Sequence, residues 1–326
     1  MVDTEPALLR WETLSKRKFD QIDRANSVVL VTCSPLEVHG PHLPFGADAL
    51  EGEGLSRRLL RFLPERHRTR TFLQLPFIYA ATDTLPHPGS IFFHPSTTQA
   101  VLRDLGRSLA AQGFRNILVS NFHGSPRHFL AIENACAKVS RERDIRMVCV
   151  FSVLLSRLTG GSAELYDALG SLPGINREDL IGDTHGGLVE TAQLLALHPE
   201  WVERDYAALP RRTVDLWLAE QGEAPAPIEP GKPAGILTMV KAFHGGLRFF
   251  RAETYAGTPG AASPELGERI LNALAEKAAE AVTEILDGTL PPAQWHSPLW
   301  KQRFWFINPL MVRFFNRLLG IPKGVA

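Results

Sequence analysis

Cysteine is scarce in this chain, and the three present, Cys33, Cys136 and Cys149, are scattered with no C-x-x-C pair. That spacing argues against a disulfide framework and a thiolate metal site, and it fits reduced thiols. An excess of charge of either sign is missing as well, since 35 Lys and Arg balance 35 Asp and Glu. Nothing in that balance points to nucleic acid as a partner. The apolar runs are too short or too interrupted to span a bilayer. The opening Met1-Val2-Asp3-Thr4-Glu5-Pro6 lacks the basic stretch and apolar core of a signal peptide, so the expectation is a cytoplasmic protein. Internal repeats and low-complexity tracts are also missing. What is there is ordinary for a globular protein: 44% hydrophobic and 21% charged residues over 326 positions, enough for one large domain or two modest ones.

Residues 7–25 read as a short amphipathic helix, with Leu8, Leu9, Trp11, Leu14, Phe19 and Ile22 on its apolar side. Strands are expected at 28–33, 71–77, 116–120 and 145–153, and helices at 49–62, 96–113, 127–142, 188–197 and 263–286. The alternation argues for an α/β protein, a mostly parallel sheet with helices on both faces and a site at the carboxyl ends of its strands. Residues 156–182, rich in Gly, Ser, Asp and Pro, read as an insertion or lid loop. The proline-punctuated stretch 204–233 reads as an excursion from the core.

The strand at 28–33 runs into Cys33-Ser34-Pro35-Leu36-Glu37-Val38-His39-Gly40-Pro41-His42-Leu43-Pro44-Phe45-Gly46-Ala47-Asp48. Glu37, His39, His42 and Asp48 fall within twelve residues of a loop stiffened by proline. Carboxylate plus imidazole suits zinc, manganese or iron(II). Two further strand-end or helix-opening loops carry metal-competent residues: His123, and then His185 with Glu190. Glu37 and His39 are two apart, so in extended chain they share a face. Asp48, with two oxygens, could bridge a pair of ions.

These stretches resemble the creatininase (creatinine amidohydrolase) family. Ser34 to Asp48 is close to its G-S-x-E-Q-H-G-P-H-L-P-x-x-T-D, Asn121-Phe122-His123-Gly124 resembles N-x-H-G, and His185-Gly186-Gly187-Leu188-Val189-Glu190-Thr191 resembles H-A-G-x-x-E-T. Gly257 to Gly267 is similar to the segment before the family's last helix. The resemblance spans about residues 9–286. It implies a three-layer α/β/α amidohydrolase that opens a C–N amide bond of a small molecule, such as a cyclic amide or formamide. It also implies one or two divalent metals per chain (Zn, Mn or Fe) and a homo-oligomer. Carried over, Glu37, Asp48 and His123 hold one metal, His39 and Asp48 the other, and His185 matches the proton shuttle. The creatinine-hydrolysing enzyme follows the histidine matching His123 with an aromatic residue and a metal-ligating glutamate, whereas this chain has Gly124 and Ser125. Glu190 is the nearest replacement ligand, or else an acid–base group beside His185. The missing aromatic residue argues against creatinine itself. Deformylation of a formamidopyrimidine-type compound, cleavage of a small modified peptide, and a non-catalytic metal-binding role are the alternatives. Asp83 and His87 lie in a loop expected near the substrate.

Residues 1–290 read as the amidohydrolase domain and 291–326 as an aromatic, basic extension. The extension is expected to pack over the protein's own core or across a subunit interface; a membrane-surface helix is the alternative reading.

Overall fold

Val28–Thr32 is the strand on which the architecture is built, buried along its whole length. A computed structural model of the chain describes residues 6–158, 175–226 and 236–318. We label the strands β1 (Leu8–Arg10), β2 (Val28–Thr32), β3 (Phe72–Gln74), β4 (Asn116–Ser120) and β5 (Arg146–Cys149). They form one parallel sheet in the order β1-β3-β2-β4-β5, with Val28 opposite Phe72 on one side and opposite Asn116 on the other. A parallel sheet buried on both faces needs apolar side chains at every position, which is why β2 reads as an unbroken Val-Val-Leu-Val run.

The pleat sorts those side chains into two cores. Val28, Leu30, Phe72 and Leu118 pack with helices Ala47–Phe62, Leu188–Leu197 and Pro264–Asp287. Val29, Val31, Leu73, Ile117 and Val119 pack with helices Pro95–Ala111 and Pro126–Arg143. The result is the expected three-layer α/β/α fold. Each fully buried Leu or Val stabilises it by about 1.5–3 kcal/mol. The chain leaves β2 towards β3 and later crosses back to place β4 on the other side, so the strand order reverses between β2 and β4. At such a switch point the loops after the two strands diverge to opposite faces and leave a crevice at their carboxyl ends. The Glu37–Asp48 loop follows β2 and His123 follows β4.

Two sequence expectations change, and one helix appears where none was stated. Residues 7–25 are not one helix: Leu8–Arg10 adds to the sheet edge beside β3, a tight turn covers Trp11–Thr13, and only Lys16–Asp20, capped by Ser15, is α-helical. The apolar residues of that segment still pack, with Trp11, Leu14, Phe19 and Ile22 against the Phe114 core. The strand expected over 145–153 stops at Cys149 and turns directly into helix Val150–Leu158, because a short apolar run does not distinguish the two. Helix Ile236–Ala252 had no sequence-based expectation. Of the 156–182 loop, 159–174 lie outside the described residues, and Arg177–Leu180 is a short helix capped by Asn176. Residues 227–233 of the excursion likewise lie outside them.

Helix Pro264–Asp287, opened by a Ser263 cap and closed at Gly288, is the long brace of the first core. It crosses helix Leu188–Leu197 so closely that a Cβ on Gly267 would lie 1.8 Å from the Ala192 carbonyl oxygen. Neither backbone can yield without lifting the helix that carries Glu190. Gly267→Ala is expected to destabilise the fold by about 2 kcal/mol or more, read as a lower urea midpoint with an unchanged slope; an unchanged midpoint would show that the crossing is loose.

Candidate metal centre

Backbone hydrogen bonds fix the loop after β2 before any of its side chains is considered. Glu37 N–H donates to the Phe45 carbonyl at 2.8 Å, Gly40 N–H to that of Thr254 at 2.7 Å, and Val38 N–H to Ser90 Oγ at 3.1 Å. Asp48 then sits in the first turn of helix Ala47–Phe62, where exposed N–H dipoles favour a carboxylate. After β4, Asn121 clamps the next turn, accepting from His123 N–H at 2.9 Å and donating to the His123 carbonyl at 3.0 Å. The third loop is tied down by paired bonds between His185 and Ala256. Gly186 takes a left-handed φ of 58° there, and its N–H donates to Glu190 Oε2 at 2.5 Å.

These loops bring Glu37, His39, Asp48, His123, His185 and Glu190 together, all of them buried. Their ligand atoms form three overlapping groups, each within 4.8 Å: Glu37 with Asp48 and His123, His39 with Asp48 and Glu190, and Glu37 with His39 and His185. Asp48 Oδ2 is the shared point, 3.6 Å from His123 Nδ1 and 3.5 Å from His39 Nε2. Glu37 Oε2 lies 3.0 Å from His123 Nδ1, and Glu190 Oε2 lies 3.7 Å from His39 Nε2.

The outer nitrogens decide what this cluster needs. His39 Nδ1 is 3.0 Å from the Glu37 carbonyl and His123 Nε2 is 3.0 Å from that of Thr82. A carbonyl only accepts, so those nitrogens carry protons, and each ring turns its other nitrogen onto carboxylates. Metal-binding histidines are held in this way, the second nitrogen donating to a backbone carbonyl. Both Asp48 oxygens, Glu37 Oε2 and His39 Nε2 are buried without a hydrogen bond. Carboxylates and imidazole nitrogens packed this closely and desolvated call for shared positive charge, from protons on the rings or from a cation in their place.

With no cation bound, the carboxylates draw protons onto these rings instead. Burial disfavours charge on His39, yet Asp48 and Glu190 raise it well above the ordinary histidine value. His123, equally buried, is raised to about 9 by Glu37 and Asp48. Burial pushes the Glu37 carboxyl up, but His123, helped by His185 and His39, holds it down to about 2. His185 behaves oppositely: burial and then the charge of His39 push it down to about 4. Burial raises Glu190 to about 7 against the pull of His39.

A sequence model of the creatininase family, described as creatinine amidohydrolase, matches residues 12–282. The chain belongs to the creatininase family. Among solved structures, the chain is similar to a mutant creatininase complexed with creatine, at 19% identity and a TM-score of 0.58, over 86% of this chain and 99% of that one. It is similar also to a creatininase described as the Mn form, at 17% identity and a TM-score of 0.53, over 88% and 100%. A third is a mutant creatininase of Zn-Zn type, at 18% identity and 0.54, over 88% and 100%. At these identities the likeness concerns the fold. No curated protein matches the chain in sequence.

Within the creatininase fold, this chain spends its neighbouring residues differently. Ser125, at the position where the creatinine-hydrolysing enzyme has its glutamate, donates to Asp83 Oδ2 at 2.9 Å, and Arg127 donates to Asp83 Oδ1 at 3.1 Å. His87 Nε2 donates to the Phe250 carbonyl at 2.8 Å. His42 is turned away from the cluster, 2.8 Å from Thr191 Oγ1. Two participants escaped sequence reasoning. Glu51, one turn after Asp48, is fully buried with both carboxyl oxygens unpartnered, and burial raises it well above the carboxylate range. The i, i+3 spacing from Asp48 was its signal. Phe250 lies edge-on to His185 with ring centroids 5.8 Å apart, on a helix with no sequence-based expectation.

A cation taken up by this cluster binds the native state alone. Protein stripped with a chelator is therefore expected to melt several degrees below the same protein with zinc or manganese restored. A hundredfold excess over Kd is worth about 2.7 kcal/mol. Identical melting curves would show that protons alone satisfy the site.

Proposed function

We propose that this creatininase-family member is a metal-dependent amidohydrolase acting on a C–N amide bond, cyclic amide or formamide, of a small molecule. The observation that carries the reading is the buried, unpartnered oxygen pair of Asp48, faced from two sides by imidazole nitrogens whose outer partners are backbone carbonyls. On this reading Glu37, Asp48 and His123 would hold one divalent ion, and His39 and Glu190, again with Asp48, would hold a second. Glu190 then fills the place vacated at Ser125. A divalent ion so held supplies Lewis acidity for a carbonyl oxygen and brings the pKa of water towards neutrality.

The chain's own residues do the rest. His185 Nε2 donates to the Val38 carbonyl at 2.7 Å, which leaves Nδ1 as the ring's proton acceptor. The ring stacks on His39 with centroids 4.1 Å apart, so it cannot swing away from the cluster. Held neutral by burial, His185 can take a proton at Nδ1 from the attacking water and return it to the leaving nitrogen, first base and then acid. Phe250 closes the apolar side of that ring and keeps water from competing for the proton. Gly124 and Ser125 offer no aromatic side chain against a creatinine ring, which favours a different amide.

The decisive experiment is elemental analysis of protein purified without added metal, followed by a screen of cyclic amides and formamides. One or two zinc, manganese or iron ions per chain are expected, and Asp48→Ala is expected to lose them; no metal in the unmodified protein would overturn the reading. His185→Gln is expected to keep its metal and lose about 10²–10⁴-fold in turnover of any amide the screen finds. A variant that turned over at the original rate would remove His185 from the proton path.

A further inference from the structure

From Gly288 to the last residue the chain has no Asp or Glu, yet it carries Lys301, Arg303, Arg313, Arg317 and Lys323. Because the whole chain is neutral, the rest of it is net acidic and the positive charge is segregated here. The segment is fastened to the body. Glu133, buried in helix Pro126–Arg143, accepts from Ser297 N–H at 3.0 Å and Ser297 Oγ at 2.8 Å, and His296 Nδ1 lies 3.0 Å from it. Leu299, Trp300, Phe306 and Ile307 pack against the second core.

Anchoring uses only part of the apolar surface. Helix Pro309–Leu318 turns Val312 inward, with Met311 and Phe315 half-buried. Its outer face carries Leu310 and Phe314, one turn apart, beside Arg313 and Arg317, also one turn apart. Leu310 is 67% exposed and Phe314 57%, and on the preceding turn Phe304 and Trp305 are 53% and 55% exposed. The outer face of a water-facing helix is polar. Here large exposed apolar side chains alternate with arginine.

We propose that the face formed by Phe304, Trp305, Leu310, Arg313, Phe314 and Arg317 seats the protein on an anionic phospholipid surface, lying in the interface without crossing it. Phenylalanine, leucine and tryptophan enter the headgroup–acyl boundary while arginine meets lipid phosphate, the pattern of an interfacial helix. Among the described residues no helix is long and apolar enough to cross a membrane. A second copy of the chain fits the face less well: a two-fold contact opposes a patch to itself and would set the arginines of one copy against those of the other.

The test is flotation of the full-length protein with vesicles of phosphatidylcholine alone and of phosphatidylcholine containing phosphatidylglycerol, alongside light scattering. Binding to the anionic vesicles, weakened by salt, is expected. Arg313→Glu with Arg317→Glu should weaken it about tenfold or more, and Leu310→Asp with Phe314→Asp should abolish it. Both pairs are exposed, so Tm and metal content should stay at the unmodified values, which separates lost docking from lost folding. Failure of the unmodified protein to float with anionic vesicles would overturn the proposal. So would a dimer in solution that both double variants dissociate, since the face would then belong to a second copy.

Discussion

Two imidazoles that each give one proton to a backbone carbonyl, and aim the other nitrogen at a buried carboxylate, are the constraint on which the molecule turns. His39 and His123 come from different loops, and both face Asp48 from buried positions. Desolvating that many lone pairs costs several kcal/mol unless a positive charge is shared among them. The fold tolerates the cost because the parallel sheet and two apolar cores supply a large surplus elsewhere. The three loops therefore behave as one electrostatic unit, in which a change at any ligand alters the charge state of the others.

Rigidity around the unit comes from backbone hydrogen bonds of the loops together with bonds from the cluster's own side chains to main chain. Proline-stiffened turns after β2, the Asn121 clamp after β4 and the paired bonds between His185 and Ala256 each fix a loop through main-chain donors and acceptors. Helix Leu188–Leu197 brings Glu190 from the opposite side, held at its distance by the contact at Gly267. A carboxylate delivered by a packed helix is as well positioned as one delivered by a loop. That is the physical reason a serine can stand at residue 125 while the cluster keeps three carboxylates.

Much of this was legible in the residues because the signals were local. Val28 to Val31 could only be an inner strand, and carboxylate and imidazole crowded between residues 37 and 48 announced a site. What could not be read depended on tertiary choices. Leu8–Arg10 is a strand because β3 offers it an edge, and nothing in three residues encodes that offer. Val150–Leu158 is apolar enough for either state, and pairing of β5 with β4 ends at Cys149 opposite Val119 although β4 runs on to Ser120. His42 was as plausible a ligand as His39 until the turn at Gly40 sent it to Thr191. Glu51 was visible by spacing but offered no partner in the sequence that would have singled it out.

The departure at Ser125 also reaches beyond the cluster. Its hydroxyl and Arg127 both bond to Asp83, which takes a left-handed φ of 59° uncommon for a residue other than glycine. The same loop gives the Thr82 carbonyl to His123 and the Leu85 N–H, at 2.6 Å, to Glu37 Oε1. A single turn thus supports one imidazole and one carboxylate of the cluster and is itself pinned by the residue standing where a relative has a metal ligand. A glutamate at 125 would set its charge against Asp83 and pull Arg127 from its partner. The serine and the Asp83–Arg127 pair therefore belong together, and with them the support this loop gives to His123 and Glu37.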